Sequence, residues 1–546
     1  MKETKLQSNE LTVVQNNNGL KMYLSGLSVG REATPRSNLY NLEGKTELLA
    51  PDTILDEWKR QLSILDSGTD FERNVFQFDS AQLQKWGPQG QIAPISELMD
   101  EIVLPTFSLS ERHPAFDTEE WRWAKRQVVR NLHSAGCVGL SPVPYKRVVD
   151  DMRARDTLES NSGWPLFTRR NKPEVITQSI EEAENGQWKT YPAIALFRNY
   201  NRKTRLVWMF PMSANLVEGS FFQPLQSKLM KSRFARQFLS PWNGFETVRS
   251  QITAWYQDGV RIVNHTNAKH AKGELFLAAS DFSGTDEHFK LDASLEVCSV
   301  LEKCFQPRYR MLLRESICYM HEIPLVISPT EKLTGEHGVA SGSNWTNFIE
   351  TIFDWILQYY IMAQYDNMYM PGYAIGDDMT WCLYTYDEDF AFKLEDWCEG
   401  VGQVVKAEKT TNDPDKVKSL QRLFQRDYLR PDGQVRAVYS TIRALKSLVY
   451  PERFHKPELW SKDMEAIRAF MILENCVDHP LFHQFCEFVS KGDPNLKTFA
   501  KLSERRQNEL LRKSKLIPGL NPTYNQEKRD SSISQFQSVK FIAQLG

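Results

Sequence analysis

Residues 374–384 read AIGDDMTWCLY, with Asp377 and Asp378 side by side between apolar and aromatic neighbours. Adjacent carboxylates repel, and a charge held among apolar groups is costly unless something neutralises it. The flanking YAI and MTWCLYT have strand character, and Gly376-Asp377 suits a tight hairpin turn because glycine tolerates positive φ. Strand–turn–strand places Asp377 at the tip. Alone, the tripeptide is weak: residue frequencies give it by chance in roughly one chain in ten of this length. As an isolated feature it reads as a solvated surface turn.

A second segment, ELFLAASDFSGTDEHFK (274–290), changes that reading. An apolar strand ends at Asp281, passes Ser283 and Gly284, and starts a helix near Asp286. Ser283 or Thr285 is a candidate cap, with acids in the first turn. Two strand ends in one sheet bring Asp281 and Asp377 together, and that charge requires cations. Hard oxygen ligands suit Mg²⁺, which keeps waters and binds substrate phosphates. Two such ions can clamp the attacking and leaving oxygens of a phosphoryl transfer. Between these segments lies GEHGVASGSNWTNFIETIFDWILQYY (335–360). A glycine-rich loop there leads into a long amphipathic helix with Ser341-Gly342 at the hinge. The stripe Phe348, Ile349, Ile352, Phe353 and Ile356 reads as core packing.

A triphosphate needs positive charge. Residues 185–217 contain no acid, yet carry Lys189, Arg198, Arg202, Lys203 and Arg205 among Tyr191, Phe197, Tyr200 and Trp208. Arginine offers planar bidentate contacts to phosphate and lysine a point charge. Arg205 leads this group, followed by Lys203 and Arg198. Over the whole chain the formal charge is only −2, so a polyanion site must be a local patch. The 546 residues, 41% hydrophobic and 25% charged, describe a folded protein of several subdomains. Eight scattered cysteines with no C-x-x-C point to reduced thiols rather than a zinc site or disulfide framework. The N-terminus lacks the apolar core of a signal peptide, and the most apolar stretch, 348–370, contains Glu350, Asp354, Gln358 and Asp366, so no membrane association is expected. GKT at 44–46 lacks the first glycine of a phosphate loop, and HEIPL at 321–325 lacks the second histidine of a zinc protease.

The three central elements, in this order and spacing, resemble the palm of viral RNA-dependent RNA polymerases. The matching residues are D-x4-D (Asp281, Asp286), S-G-x3-T (Ser341, Gly342, Thr346) and G-D-D (Gly376 to Asp378). Outer segments agree. SNSGWPL (160–166) resembles the finger motif that guides template, through Ser162, Gly163, Trp164 and Pro165. RNYNRKTRLVWMFP (198–211) resembles the one that holds the incoming triphosphate. KAEKTT (406–411) places Lys409 at the lysine of the fourth palm motif. LFQRDYL (423–429), with Phe424 and Arg426, resembles the hairpin gripping the priming strand. Within the group, SGSNWTNFIE is most similar to the picobirnavirus and partitivirus type of the double-stranded RNA lineage. Many related polymerases carry asparagine where Glu350 stands, so ribose reading is expected from Asp286 with Ser341 or Thr346. A carboxylate can accept a hydrogen bond from the 2′-hydroxyl. A reverse transcriptase would want a bulky residue at position 286.

The resemblance implies an α+β fold shaped as a cupped right hand: fingers, a palm built of a small antiparallel sheet backed by helices, and a helical thumb. The expected organisation is an N-terminal arm (1–50), mainly fingers (51–272), palm (273–435) with a second fingers segment near 291–334, thumb (436–522) and a C-terminal tail (523–546). The tail tip, FQSVKFIAQL, is expected either to return to the cleft or to be dispensable. The implied chemistry is template-directed nucleotidyl transfer, with Asp281 and Asp377 as ligands of two Mg²⁺ ions that Mn²⁺ can replace. Asp378 assists, and Lys409 is the candidate acid toward pyrophosphate. The implied partners are RNA template and product strand, nucleoside triphosphates and a capsid protein, in the virion interior and host cytoplasm. The competing readings are a catalytically silent, RNA-binding capsid component with a polymerase fold, and a magnesium-dependent phosphodiesterase.

Overall fold

The computed structural model describes residues 1–41, 49–257, 259, 274–517 and 532–546. Residues 42–48 of the expected arm, with the GKT tripeptide, and residues 523–531 of the expected tail lie outside the described residues.

The fingers sheet contains β1 (Lys2–Lys5), β2 (Ala193–Tyr200), β3 (Lys203–Met209), β5 (Leu325–Val326) and β6 (Glu331–Thr334), in the order β1-β6-β5-β2-β3. β2 and β3 are joined by Asn201-Arg202, both at positive φ (55° and 60°). This two-residue turn matches the twist of the flanking strands. The pairs Leu196↔Val207, Arg198↔Arg205 and Tyr200↔Lys203 therefore share one face of the hairpin. That is why a run of cations in sequence becomes a cationic surface.

The palm sheet has the order β7-β8-β4-β9, all antiparallel: β4 (Phe276–Asp281), β7 (Met368–Ile375), β8 (Asp378–Leu383) and β9 (Thr411–Asn412). Behind it runs the helix Trp345–Met362, apolar on nearly every side and so buried along most of its length. Phe353 on this helix packs against Trp121, Phe282 and Phe289, while Trp355 stacks on Phe238 at 4.8 Å. Its Gln358 fills an irregularity in β7, donating to Thr380 O (3.0 Å) and accepting from Gly372 N (2.8 Å). A meander of β10 (Lys416–Ser419), β11 (Arg422–Leu429) and β12 (Val435–Tyr439) follows. Right-hand architecture and mixed α+β class are as the sequence implies.

The thumb helices, including Thr441–Val449, Lys462–Glu474 and Phe482–Gly492, enclose a second core. Two features of it differ from the sequence-based expectation. Trp58, Val75 and Phe78, from the segment expected with the fingers, are buried in this core, because their apolar stripes face thumb helices. The tail tip is there too. Ile533, Phe536, Val539 and Ile542 are buried against the thumb, and Glu474 accepts from Gln537 N, Ser538 N and Ser538 Oγ. The described tip thus braces the thumb instead of occupying the cleft. The N-terminal arm is also more structured than a simple extension. It forms helices Ser8–Gln15 and Asn18–Gly26, then crosses from the fingers to the thumb, where Ser37 N donates to Val449 O.

Candidate active site

The strand β4 ends at Asp281 because the chain must turn there: Gly284 follows at φ 62° and opens the short helix Thr285–His288. Gly284 occupies the cap position, so neither Ser283 nor Thr285 caps that helix by its side chain. β7 and β8 are joined by Gly376 (φ 57°) and Asp377, with Ile375 opposite Asp378. β8 lies directly beside β4, and its register pairs Asp281 with Asp378. Phe282 N donates to Asp377 O (3.1 Å), which fixes the turn against the end of β4. Three carboxylates from two segments almost a hundred residues apart in sequence therefore share one edge of the sheet.

Their electrostatics show the repulsion. Burial pushes the Asp378 carboxyl up to about 8, helped by Asp377 and Asp281. Burial and Asp281 raise Asp377, while Arg205 and a hydrogen bond from Thr285 act the other way. Asp281 is raised by desolvation against the opposing pull of Lys409, Lys203 and Arg205. Asp286 is raised by burial to about 6, with Arg205 opposing and Asp377 adding to the rise. Beneath the turn, Glu350 and Asp354 are both buried and held well above the usual carboxylate range, chiefly by desolvation. Asn347 and Glu350 converge on Gly376: an added Cβ there would meet Asn347 Nδ2 at 2.9 Å and Glu350 Oε2 at 3.3 Å.

The donor set of Asp281, Asp377 and Asp378 is all hard oxygen and crowded, and Lys409, Lys203 and Arg205 do not offset its burial, which fits a divalent ion of the Mg²⁺ kind. Among the described residues no three or more His, Cys, Asp or Glu side chains form a ready-made metal cage. A site with few protein ligands, completed by water and substrate phosphate, is the usual arrangement for Mg²⁺.

Ser341 stands exposed on the loop before the long helix, and its Oγ accepts from Trp208 N (3.3 Å). A Cβ on Gly342 would fall 1.6 Å from Trp208 O, so only glycine lets the loop lie this close to β3. The Thr346 hydroxyl is tied to Ala340 O (2.6 Å), which shapes the loop and leaves only its lone pairs for another partner.

Of the expected triphosphate cations, Lys203 and Arg205 lie within the field of Asp281 and Asp286. Arg198 engages the thumb. It makes a bidentate pair with Glu452 of the thumb (2.6 and 2.9 Å), across the seam between fingers and thumb. The expected template and primer contacts also need correction. Ser162, Gly163 and Trp164 are buried, and the turn packs on the end of β3: a Gly163 Cβ would lie 2.4 Å from Phe210 O. Trp164 is 4% exposed and makes a T-shaped contact with Phe167, which leaves its ring in the core, and Pro165 is half-buried beside it. Phe424 is fully buried beside Phe245. Arg426 donates to Tyr256 O, Leu275 O and Pro414 O, holding the meander to the palm.

Sequence reading missed Lys85, Arg443 and Lys446. These come from distant segments yet gather near Arg205. Burial and the neighbouring cations push Lys85 down to about 8 and Lys446 down to about 7. Lys446 is 3% exposed and donates to the Asn201 side chain in the β2–β3 turn. No local sequence pattern marks these positions.

Comparison with known proteins adds three findings. The family model described as viral RNA-dependent RNA polymerase matches residues 200–492. A curated relative, the "Potential RNA-dependent RNA polymerase" of human picobirnavirus (strain Human/Thailand/Hy005102/-), is 27% identical over 511 residues, spanning 87% of this chain and 85% of its own. The crystal structure of a human picobirnavirus RNA-dependent RNA polymerase superposes with a TM-score of 0.77 over 99% of both chains at 22% identity. Its insertion-loop deletion mutant gives 0.73 at 23% identity, again over 99% of both. No described helix is long and apolar enough to cross a membrane.

Proposed function

The chain belongs to the viral RNA-dependent RNA polymerase family, and from that premise we propose that it extends RNA along an RNA template by nucleotidyl transfer, with Asp281 and Asp377 holding divalent ions at the growing 3′ end. The RNA 3′-hydroxyl forms a bond to the α-phosphorus of the nucleoside triphosphate, and the α–β bridging bond breaks to release pyrophosphate. Mg²⁺ bound at these carboxylates, with Mn²⁺ able to replace it, would lower the charge barrier to that displacement. Arg205 and Lys203 hold the triphosphate. Lys85 and Arg443 extend the positive charge toward the thumb, and the buried Lys446 holds the Asn201 turn beneath it. Asp286 accepts a hydrogen bond from the ribose 2′-hydroxyl, and Ser341, whose hydroxyl proton meets no acceptor among the described residues, supports it. Asp378 lies beside the ions and assists their binding. Lys409, the leading cation acting on Asp281, supplies a proton to the departing pyrophosphate.

The observation that carries this reading is the register of Asp281 against Asp378, with Asp377 at the adjoining turn. We place the activity in viral genome replication and transcription, in the virion interior and host cytoplasm, with a capsid protein as a further partner. Incubation with RNA template, nucleoside triphosphates and Mg²⁺ tests it. Template-complementary extension supports the proposal, whereas RNA binding without extension, or cleavage of the RNA, contradicts it. Because phosphate contacts release counterions, RNA affinity should fall as salt rises.

A further inference from the structure

The helix Met212–Lys231 begins directly after β3 and is buried along its first half. Besides Ser213 and Ser220, that buried half carries two larger polar residues, Asn215 and Glu218, each 2% exposed. Their spacing puts them on one side of the helix. Burying an acid among apolar side chains is unfavourable unless its oxygens are engaged, and here they are. Glu218 Oε1 accepts from Asn215 Nδ2 (2.8 Å) and Asn344 N (3.0 Å), and Oε2 accepts from the Ser343 hydroxyl. Asn215 Nδ2 also donates to Gly342 O (3.2 Å), and Asn215 O accepts from Asn344 Nδ2 (3.3 Å). Arg170 Nη2 orients the pair by donating to Asn215 Oδ1 (2.9 Å). Ser343 Oγ in turn accepts from Trp345 N (3.0 Å) at the start of the long helix.

Three consecutive loop residues, 342 to 344, are thus held from one side by two residues of one helix. On the other side the loop is fixed to β3 through Trp208, as described above. Residues 203–218 form one continuous support: Lys203 and Arg205 at one end, the contacts to Gly342, Ser343 and Asn344 at the other. Ser341, next to the clamped residues, remains exposed, as does Asn344.

We propose that Asn215 and Glu218 are positioning residues, a buried clamp that holds the 341–344 loop in register with β3 and thereby sets how strictly the sugar of the incoming nucleotide is read. The clamp touches no substrate. It acts through Ser341, and so it rests on the reading that Ser341 and Asp286 face the ribose. Burial pushes the Glu218 carboxyl up to about 7, and the three donors with Arg170 offset only part of that rise.

The test is single-nucleotide incorporation by the full chain on primed RNA, comparing kcat/KM for ribo- and deoxyribonucleotides. Glu218→Ala should lower the ribose preference about tenfold, mainly by raising KM for the ribonucleotide, since small misplacements of positioning groups have large kinetic effects. Glu218→Gln retains an acceptor for Asn344 N and an amide partner for Ser343, and should keep the preference within about threefold. If Glu218→Ala does not fold, Asn215→Ala, which frees Gly342 but leaves the acid, supplies the same readout. Unchanged ribose preference with a parallel fall in kcat for both nucleotides would overturn the clamp, as would equal damage from Glu218→Gln and Glu218→Ala. Ser341→Ala separates the two levels. If it lowers the preference while Glu218→Ala and Asn215→Ala do not, the clamp alone is wrong. If Ser341→Ala leaves the preference intact, the sugar-reading premise fails.

Discussion

Asp79→Asn isolates the seam that joins the N-terminal segment to the thumb. Asp79 lies on the helix Asp70–Ser80 and is completely buried. Its Oδ1 accepts from Ser440 Oγ (2.6 Å) and Ile442 N (3.0 Å). Its Oδ2 accepts from Thr441 N (3.1 Å), Thr441 Oγ1 (2.6 Å) and His479 Nε2 (2.9 Å). One carboxylate therefore caps the first thumb helix and engages a buried histidine. Asparagine preserves the shape but turns one oxygen into an amide that faces donors. Leaving two or three buried donors unsatisfied, and breaking a buried charged contact, should destabilise the chain by about 3–5 kcal/mol. Denaturant unfolding followed by tryptophan fluorescence reads this directly, because Trp58 Nε1 donates to Thr441 Oγ1 in the same core (2.8 Å). A pH series adds a sign. Burial raises the Asp79 carboxyl, but hydrogen bonds from His479, Ser440 and Thr441 outweigh it and hold the group below its ordinary value. Its stabilisation is therefore present above the unfolded-state pKa of about 4 and is lost as pH falls through the lower folded value. Wild type should lose stability faster than Asp79→Asn on acidification below that point. A loss under about 1 kcal/mol for Asp79→Asn at neutral pH would refute the reasoning.

Three further outcomes are expected. Gly342→Ala forces a Cβ to within 1.6 Å of Trp208 O, so the loop must shift and kcat/KM for nucleotide incorporation should fall about tenfold or more in steady-state assays. Arg205→Met should raise KM for nucleoside triphosphates about tenfold, whereas Arg198→Met, which loses a pair with Glu452, should change KM less than about threefold. Removing residues 532–546 uncovers thumb core otherwise sealed by Ile533, Phe536, Val539 and Ile542 and takes three donors from Glu474. It should lower the thermal midpoint and open the thumb to limited proteolysis.

Local pattern made the centre of the molecule readable. The strand ending at Asp281 and the hairpin turn at Gly376 follow from residue types that favour those conformations, and alternation along the strands sets which side chains share an edge. Partner choice across the chain was not readable in the same way. Arg198 and Arg205 are alike in sequence and lie side by side in the hairpin, yet Glu452, 254 residues from Arg198, draws one of them to the thumb. Trp164 and Phe424 sit in segments that resemble nucleic-acid contacts, but aromatic rings are equally good core residues, and packing claims both. The stripe on the helix Pro51–Leu62 signals burial without saying against what; its partner is the thumb. Glu218 carries no sequence signal at all, because a single acid in an apolar helix acquires meaning only from the loop folded against it.

The most direct measurement is single-nucleotide extension of a primed RNA template by Asp377→Asn in Mg²⁺, alongside an unfolding curve for the same protein. Expected is a native-like transition with incorporation reduced at least about a hundredfold, since the substitution removes a charge placed where the reacting phosphate is stabilised. Wild-type elongation by that variant would contradict the assignment of the strand-end carboxylates to catalysis.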